Sequence, residues 1–215
     1  MTDPEEDLVD DLVDDLDAVV GLACHRLAAA TDRDWRVLAT GLTWTCRATL
    51  EHVADDLFSY AGQIAVRRPE LTEFVPFHYW GEAGDADETA IHVDPEADNL
   101  GVVRVVDACR GMLAAVARIA APDVRGYHPY GVSDPGGFAA MGTTEVILHV
   151  HDVAGPLGFA WEPEPDVVRR VLHRLFPDVS KDDGPWPTLL WATGRGDLPG
   201  REPITEWRWD STVRE

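Results

Sequence analysis

Glu145, His149 and Asp152 carry the sharpest chemical signal in the chain. They lie in a mostly apolar run that reads as a helix. At about 100° per residue, the three fall on one face with Phe138, Met141 and Leu148. That face should meet the core, and a lone carboxylate is expensive to bury there. A divalent metal offsets the cost, because it takes a carboxylate and a neutral imidazole together. The Glu-x-x-x-His spacing sets both ligands one turn apart, as two ligands of one ion must be. The same trio also reads as a partly exposed hydrogen-bonded cluster with no metal, since structural networks look similar. His151 lies about 120° from Glu145 on the wheel and reads as surface or outer support.

His52, four residues before Asp56, is the other candidate ligand. The wheel is less kind to it. It lies about 140° from the centre of its helix's aliphatic stripe. It shares a polar strip with Thr49, Asp56, Ser59 and Gln63. Taken alone, it reads as a solvated residue. It becomes a ligand only if another helix or a connecting segment covers that side. His128 sits in Tyr-His-Pro-Tyr-Gly, where a loop could overhang a site and touch a bound cofactor. His25, His78, His92 and His173 read as structural or surface residues.

Other chemistries find little support. Cys24, Cys46 and Cys109 form no C-x-x-C pair. An odd, scattered set points to a reducing compartment. Cys46 follows a helix start that could lower its pKa, but no histidine is in register, so it reads as inert. Nucleophile-elbow, Walker, Rossmann and H-E-x-x-H patterns are absent.

The elements that must position these groups are legible from periodicity. Residues 5 to 30 read as helix one, on Leu8, Leu12, Leu16, Val19, Ala23 and Leu27. Residues 46 to 66 read as helix two, with Thr45 as N-cap. Residues 69 to 98 are irregular, with Pro69, Pro76, Gly81, Gly84 and Pro95 among the aromatics Phe74, Phe77, Tyr79 and Trp80. So long a connection usually carries function. Residues 99 to 121 read as helix three, capped by Asp98 or Asn99. Asp134-Pro135 opens helix four, and Gly155-Pro156 should end it near Ala154. Residues 166 to 176 and 186 to 192 look helical, and Ile204 to Trp209 looks extended. The expected fold is all-α: a four-helix bundle with a long crossover between helices two and three, plus a short C-terminal α/extended extension.

A formal charge of −21 makes nucleic acid and anionic membranes poor partners. Nine acidic residues precede residue 18 and read as a solvated face. No signal-peptide pattern opens the sequence and no run is apolar enough to span a bilayer, so a cytoplasmic location is expected. A face of helix one or the tail could pair with a second copy, which leaves a homodimer open.

The stretch Trp44-Thr-Cys-Arg-Ala-Thr-Leu-Glu-His52-Val-Ala-Asp-Asp56 resembles the start of helix two in DinB-like proteins. More narrowly, it resembles the N-terminal metal-binding domain of mycothiol-dependent maleylpyruvate isomerases. Tyr127-His-Pro-Tyr-Gly-Val-Ser-Asp-Pro-Gly-Gly-Phe-Ala-Ala-Met-Gly-Thr-Thr-Glu145-Val-Ile-Leu-His149-Val-His-Asp152 resembles that family's helix four. The match runs over about residues 8 to 160. The resemblance implies a divalent ion between helices two and four, held by His52, Glu145 and His149. It is this likeness that promotes His52 to a ligand. Asp56 and Asp152 then become supports for the histidine tautomers. The ion would be zinc first, with nickel, manganese or iron also compatible with the donor set. Mycothiol is the implied co-substrate. Family isomerases add a separate C-terminal α/β domain. Here about 55 residues follow the match, so residues 1–160 are expected as the bundle and 161–215 as a short extension packed on it.

Two functions follow. One is a metal-dependent enzyme that uses a low-molecular-weight thiol as an isomerase or S-transferase on a small electrophile. Its pocket would be shaped by Tyr127, His128, Tyr130 and the aromatic crossover. The other is a non-catalytic metal-binding bundle that binds a small molecule or a protein, with its metal site closed by a fourth protein ligand. A bundle with no metal is the third possibility.

Overall fold

Local capping chemistry sets where the long helices begin. Thr45 accepts the Ala48 N–H at 3.1 Å and opens α2, Cys46–Ala65. Asp98, rather than Asn99, accepts the Gly101 N–H at 2.8 Å and opens α3, Asn99–Ile119. Asp134 accepts the Gly137 N–H at 2.6 Å, and Pro135 takes the first position of α4, Pro135–Leu157. The computed structural model describes residues 4–81, 88–180 and 183–213, with side chains from Val9 on. Gly84 and the Leu8 side chain lie outside what is described. Among the described residues there are six helices and no strands, only three isolated bridges. The other three helices are α1, Pro4–Ala28, α5, Pro165–Leu175, and α6, Pro185–Ala192.

α1 packs on α3 and α4, and α2 packs on the same two helices from its own side. The shared core holds Leu16 and Leu27 of α1, Leu50 and Leu57 of α2, Leu113 of α3 and Met141 of α4, all fully buried. α4 is covered on almost every face. Its sequence explains how neighbours come so close: a Cβ at Gly142 would sit 2.8 Å from Leu113 and 2.9 Å from Leu57.

Two sequence expectations need correction. α4 does not stop near Ala154; it runs through Gly155-Pro156 to Leu157, and Gly158 caps it at φ 79°. Pro156 has no N–H to give to the Asp152 carbonyl one turn back. The Thr40 N–H takes that carbonyl instead, at 2.8 Å. The orphaned acceptor is thus satisfied by a loop, and the helix need not break. Ile204 to Trp209 forms no strand; it is irregular chain whose continuation bonds elsewhere. The Asp210 N–H meets the Leu175 carbonyl and the Ser211 N–H meets Tyr130.

The polar strip of α2 is also not solvated. Thr49, Ser59 and Gln63 are all buried. The long connection between α2 and α3 lies over much of that strip. The Val75 N–H donates to Gln63 Oε1 at 3.1 Å, and the Tyr79 and Ser59 hydroxyls meet at 3.1 Å. Asp55 Oδ1 accepts the N–H groups of Ala90 and Ile91 at 2.8 and 3.0 Å. Side-chain acceptors on α2 thus satisfy backbone donors that a buried loop would otherwise leave unpaired.

α5 packs on α4 and is tied to α1 by charge. Arg170 forks onto the buried Asp15 carboxylate, with Nε to Oδ2 at 2.6 Å. Arg170→Ala would strand that carboxylate. It should lower stability by about 2 kcal/mol in urea unfolding, whereas Arg169→Ala, whose partner Asp166 is exposed, should leave the unfolding midpoint unchanged.

Candidate metal centre

The covered side of α2 faces α4, and there the separate candidates meet. His52 from α2 and Glu145 and His149 from α4 each offer one ligand atom, and these atoms lie within 4.8 Å of one another. Glu145 is 8% exposed and His149 7%. The rings of His52 and His149 stand edge to face, 5.2 Å apart. Two imidazoles and a carboxylate are the donor set a divalent transition metal takes, so the residues fit the ion that the sequence pattern suggests.

Each ligand is held from behind. His149 Nδ1 lies 3.1 Å from Asp152 Oδ2, which places the ring proton there and turns Nε2 toward Glu145, 3.2 Å from Oε2. His52 Nε2 lies 3.1 Å from Asp56 Oδ2. The Tyr60 hydroxyl donates to Glu145 Oε1 at 3.3 Å. Trp44 packs its ring 4.9 Å from that of His52. Asp152 is itself gripped by Arg195 from the segment after α6. Arg195 Nε donates to Oδ1 at 2.9 Å and Nη2 to Oδ2 at 2.8 Å. Trp207 lies under the guanidinium, 5.6 Å from ring centroid to Cζ.

The charges follow from these contacts. Burial alone would raise the Glu145 pKa and lower that of His149. Their mutual hydrogen bond, with Asp152 on the far side of the ring, outweighs burial and moves both the other way. Burial likewise opposes the Asp152 carboxylate, and His149 and Arg195 together hold it below the usual range. Tyr60 is pushed up by burial and then by Glu145, so it stays a neutral donor.

Two cavities open onto this cluster. The larger, about 680 Å³, includes Thr40, Trp44, His151 and Thr205 in its wall. The smaller, about 290 Å³, includes His52, Tyr60, His128, Tyr130, Glu145 and Trp209. His149, Arg195 and Trp207 line both.

His128 is therefore beside the cluster, and His151 is half-buried against Trp186 and lines the larger cavity. Tyr127 packs on Phe74, and the crossover aromatics Phe77 and Trp80 pack on Phe58 and His92. The tail tryptophans, not the crossover aromatics, wall these cavities. Arg195, Trp207 and Trp209 carry no local motif. Only a Thr-Gly-Arg-Gly turn and unexplained tail aromatics marked them in the sequence. Comparison with known proteins finds no family model, no curated protein and no solved structure that matches the chain.

Two outcomes are expected. All three cysteines are pushed up to about 11 by burial, so the buried Cys46 and Cys109 should react with a thiol reagent only after denaturation, and the half-buried Cys24 more slowly than a free thiol. If the cluster holds an ion, Arg195→Ala should weaken its affinity for added divalent metal about tenfold in a chelator competition, as Asp152→Asn should, and the double variant should add little to either.

Proposed function

We propose that this chain is a metal-dependent enzyme that uses a low-molecular-weight thiol, such as mycothiol, as an isomerase or S-transferase on a small electrophile. The accompanying fold reading takes α1 to α4 as a DinB-like four-helix bundle with residues 66–98 as its crossover. One observation carries the proposal: His52, Glu145 and His149 converge in the wall of one cavity, and His149 also lines a second. Two reactants need two approaches to one centre.

A divalent ion held by these three groups would lower the pKa of a thiol at its open position. The chain supplies the rest. Asp152 fixes the His149 tautomer, and Arg195 fixes Asp152. Tyr60 orients Glu145. Trp44 and Trp207 line the larger cavity, against His52 and Arg195 respectively. The thiol itself would come from outside: Cys46 and Cys109 are buried, Cys24 is half-buried, burial raises the pKa of all three, and none lines either cavity.

The non-catalytic alternative calls for a metal closed in by four protein ligands. Among the described residues the cluster numbers three, and the nearby Asp152 is committed to Arg195. This favours an open site.

The test begins with elemental mass spectrometry on protein purified without a metal-affinity tag. The parent should carry near-stoichiometric metal, and Glu145→Ala and His52→Ala should each lose it. In cobalt-substituted protein, added mycothiol should produce a sulfur-to-cobalt charge-transfer band. Absence of metal even after reconstitution with zinc, nickel and manganese would sink the proposal.

A further inference from the structure

The chain after α6 ends as a strap beside the site. The Asp210 N–H donates to the Leu175 carbonyl at 2.9 Å, and the Ser211 N–H to that of Tyr130 at 3.2 Å. Ser211 Oγ donates to the Gly131 carbonyl at 2.7 Å. Arg174 donates to the Ser211 and Thr212 carbonyls at 3.3 and 3.2 Å. Gly131 has φ 129°, and a Cβ there would overlap Thr212. The main chain just after Trp209 is therefore pinned to the His128 loop and to the end of α5.

Trp209 itself is 4% exposed. It packs on three rings: His128 at 5.7 Å, Tyr130 at 6.0 Å and Trp207 at 5.8 Å. Its Nε1 meets no acceptor among the described residues, so packing alone orients the indole. The smaller cavity at the cluster has Pro129, Tyr130 and Trp209 in its wall. A third cavity, about 400 Å³, has the same three residues in its wall and continues along Leu175, Phe176, Asp178 and Arg208. His52, Glu145 and His149 do not line it. Pro129 and Tyr130 are exposed and form a lip, whereas Trp209 is buried. The indole is thus the partition between the two spaces.

We infer that Trp209 sets the length of the molecule admitted to the cluster, a compact molecule that ends against the indole. An apolar cavity of about 150 Å³ holds benzene. The smaller cavity, about 290 Å³, therefore has room for one ring with a short substituent. Loss of the indole would join the third cavity to it and more than double that space. The inference deepens the reading above, whose small electrophile it bounds in size, and rests on that reading for its chemistry. The partition and the strap are separable, because none of the strap's ties uses the indole. A smaller residue at position 209 opens the partition and leaves the strap in place.

The probes are 4-alkylphenols with unbranched chains from methyl to octyl, and their binding is measured by titration calorimetry. Zinc-loaded and chelator-stripped protein are run side by side, with metal content measured in each. In the parent, each added methylene should tighten binding by up to about fourfold until the chain meets the indole, and the gain should then stop. In Trp209→Ala the gain should continue for at least two further methylenes, so that the longest phenols bind at least about tenfold more tightly than in the parent. Trp209→Phe keeps a ring against His128 and Tyr130 and should move the limit by about one methylene. It holds the test if the alanine variant does not fold, and the limit in the parent needs no variant at all. No saturable binding of any phenol, no length limit in the parent, or the parent's limit retained in a folded Trp209 variant would each overturn the inference. A Trp209-dependent limit in protein that holds no metal keeps this inference while the metal reading fails. Bound metal without such a limit does the reverse.

Discussion

The structure turns on ionised groups placed in a helix that is covered on almost every face. α4 is surrounded by α1, α2, α3 and α5, and it carries Glu145, His149 and Asp152 into that setting. Such groups are tolerated only if each one's charge is answered within hydrogen-bond reach. Here the answers alternate in sign: Glu145, His149, Asp152, Arg195. The chain of contacts runs from the interior of the helix packing to the segment after α6. The last quarter of the sequence is therefore tied to the site by electrostatics, not only by apolar contact.

The same chain sets which proton sits where. Arg195 keeps Asp152 ionised, Asp152 takes the proton side of His149, and the opposite nitrogen turns to the cluster. His128 reaches a fixed tautomer by a different device, a backbone N–H that cannot be an acceptor. The two histidines of one small site are thus held differently: His149 lies between two carboxylates, and His128 accepts from the main chain. Both settings use groups that lie outside the cavity walls or at their edge.

Much of this was legible in sequence, and the failures have physical causes. The caps Thr45, Asp98 and Asp134 were visible because capping is local chemistry. The Glu145–His149 pair was visible because one turn of one helix fixes it. His52 was not, since a helical wheel reports a residue's direction and says nothing of what lies there. Thr49, Ser59 and Gln63 look like a wet face for the same reason; all three are buried, and a loop distant in sequence meets Ser59 and Gln63. The end of α4 was misjudged because Gly-Pro usually stops a helix, and the Thr40 N–H that rescues the Asp152 carbonyl comes from over a hundred residues earlier. Arg195 was invisible because nothing around it is periodic.

Asp152 is gripped at both ends: its main-chain carbonyl by Thr40 and its side chain by Arg195. The Thr40 loop also closes on itself through the Ala39 N–H and the Trp44 carbonyl, which positions the indole against His52. Two connections distant in sequence are thereby gauged against one residue. Neither the turn leading to α2 nor the turn leaving α6 can gain or lose a residue without displacing a wall of the site. Length variation among any descendants of this chain is thus confined to segments that do not touch Asp152, and these two loops behave as fixed-length parts of the scaffold.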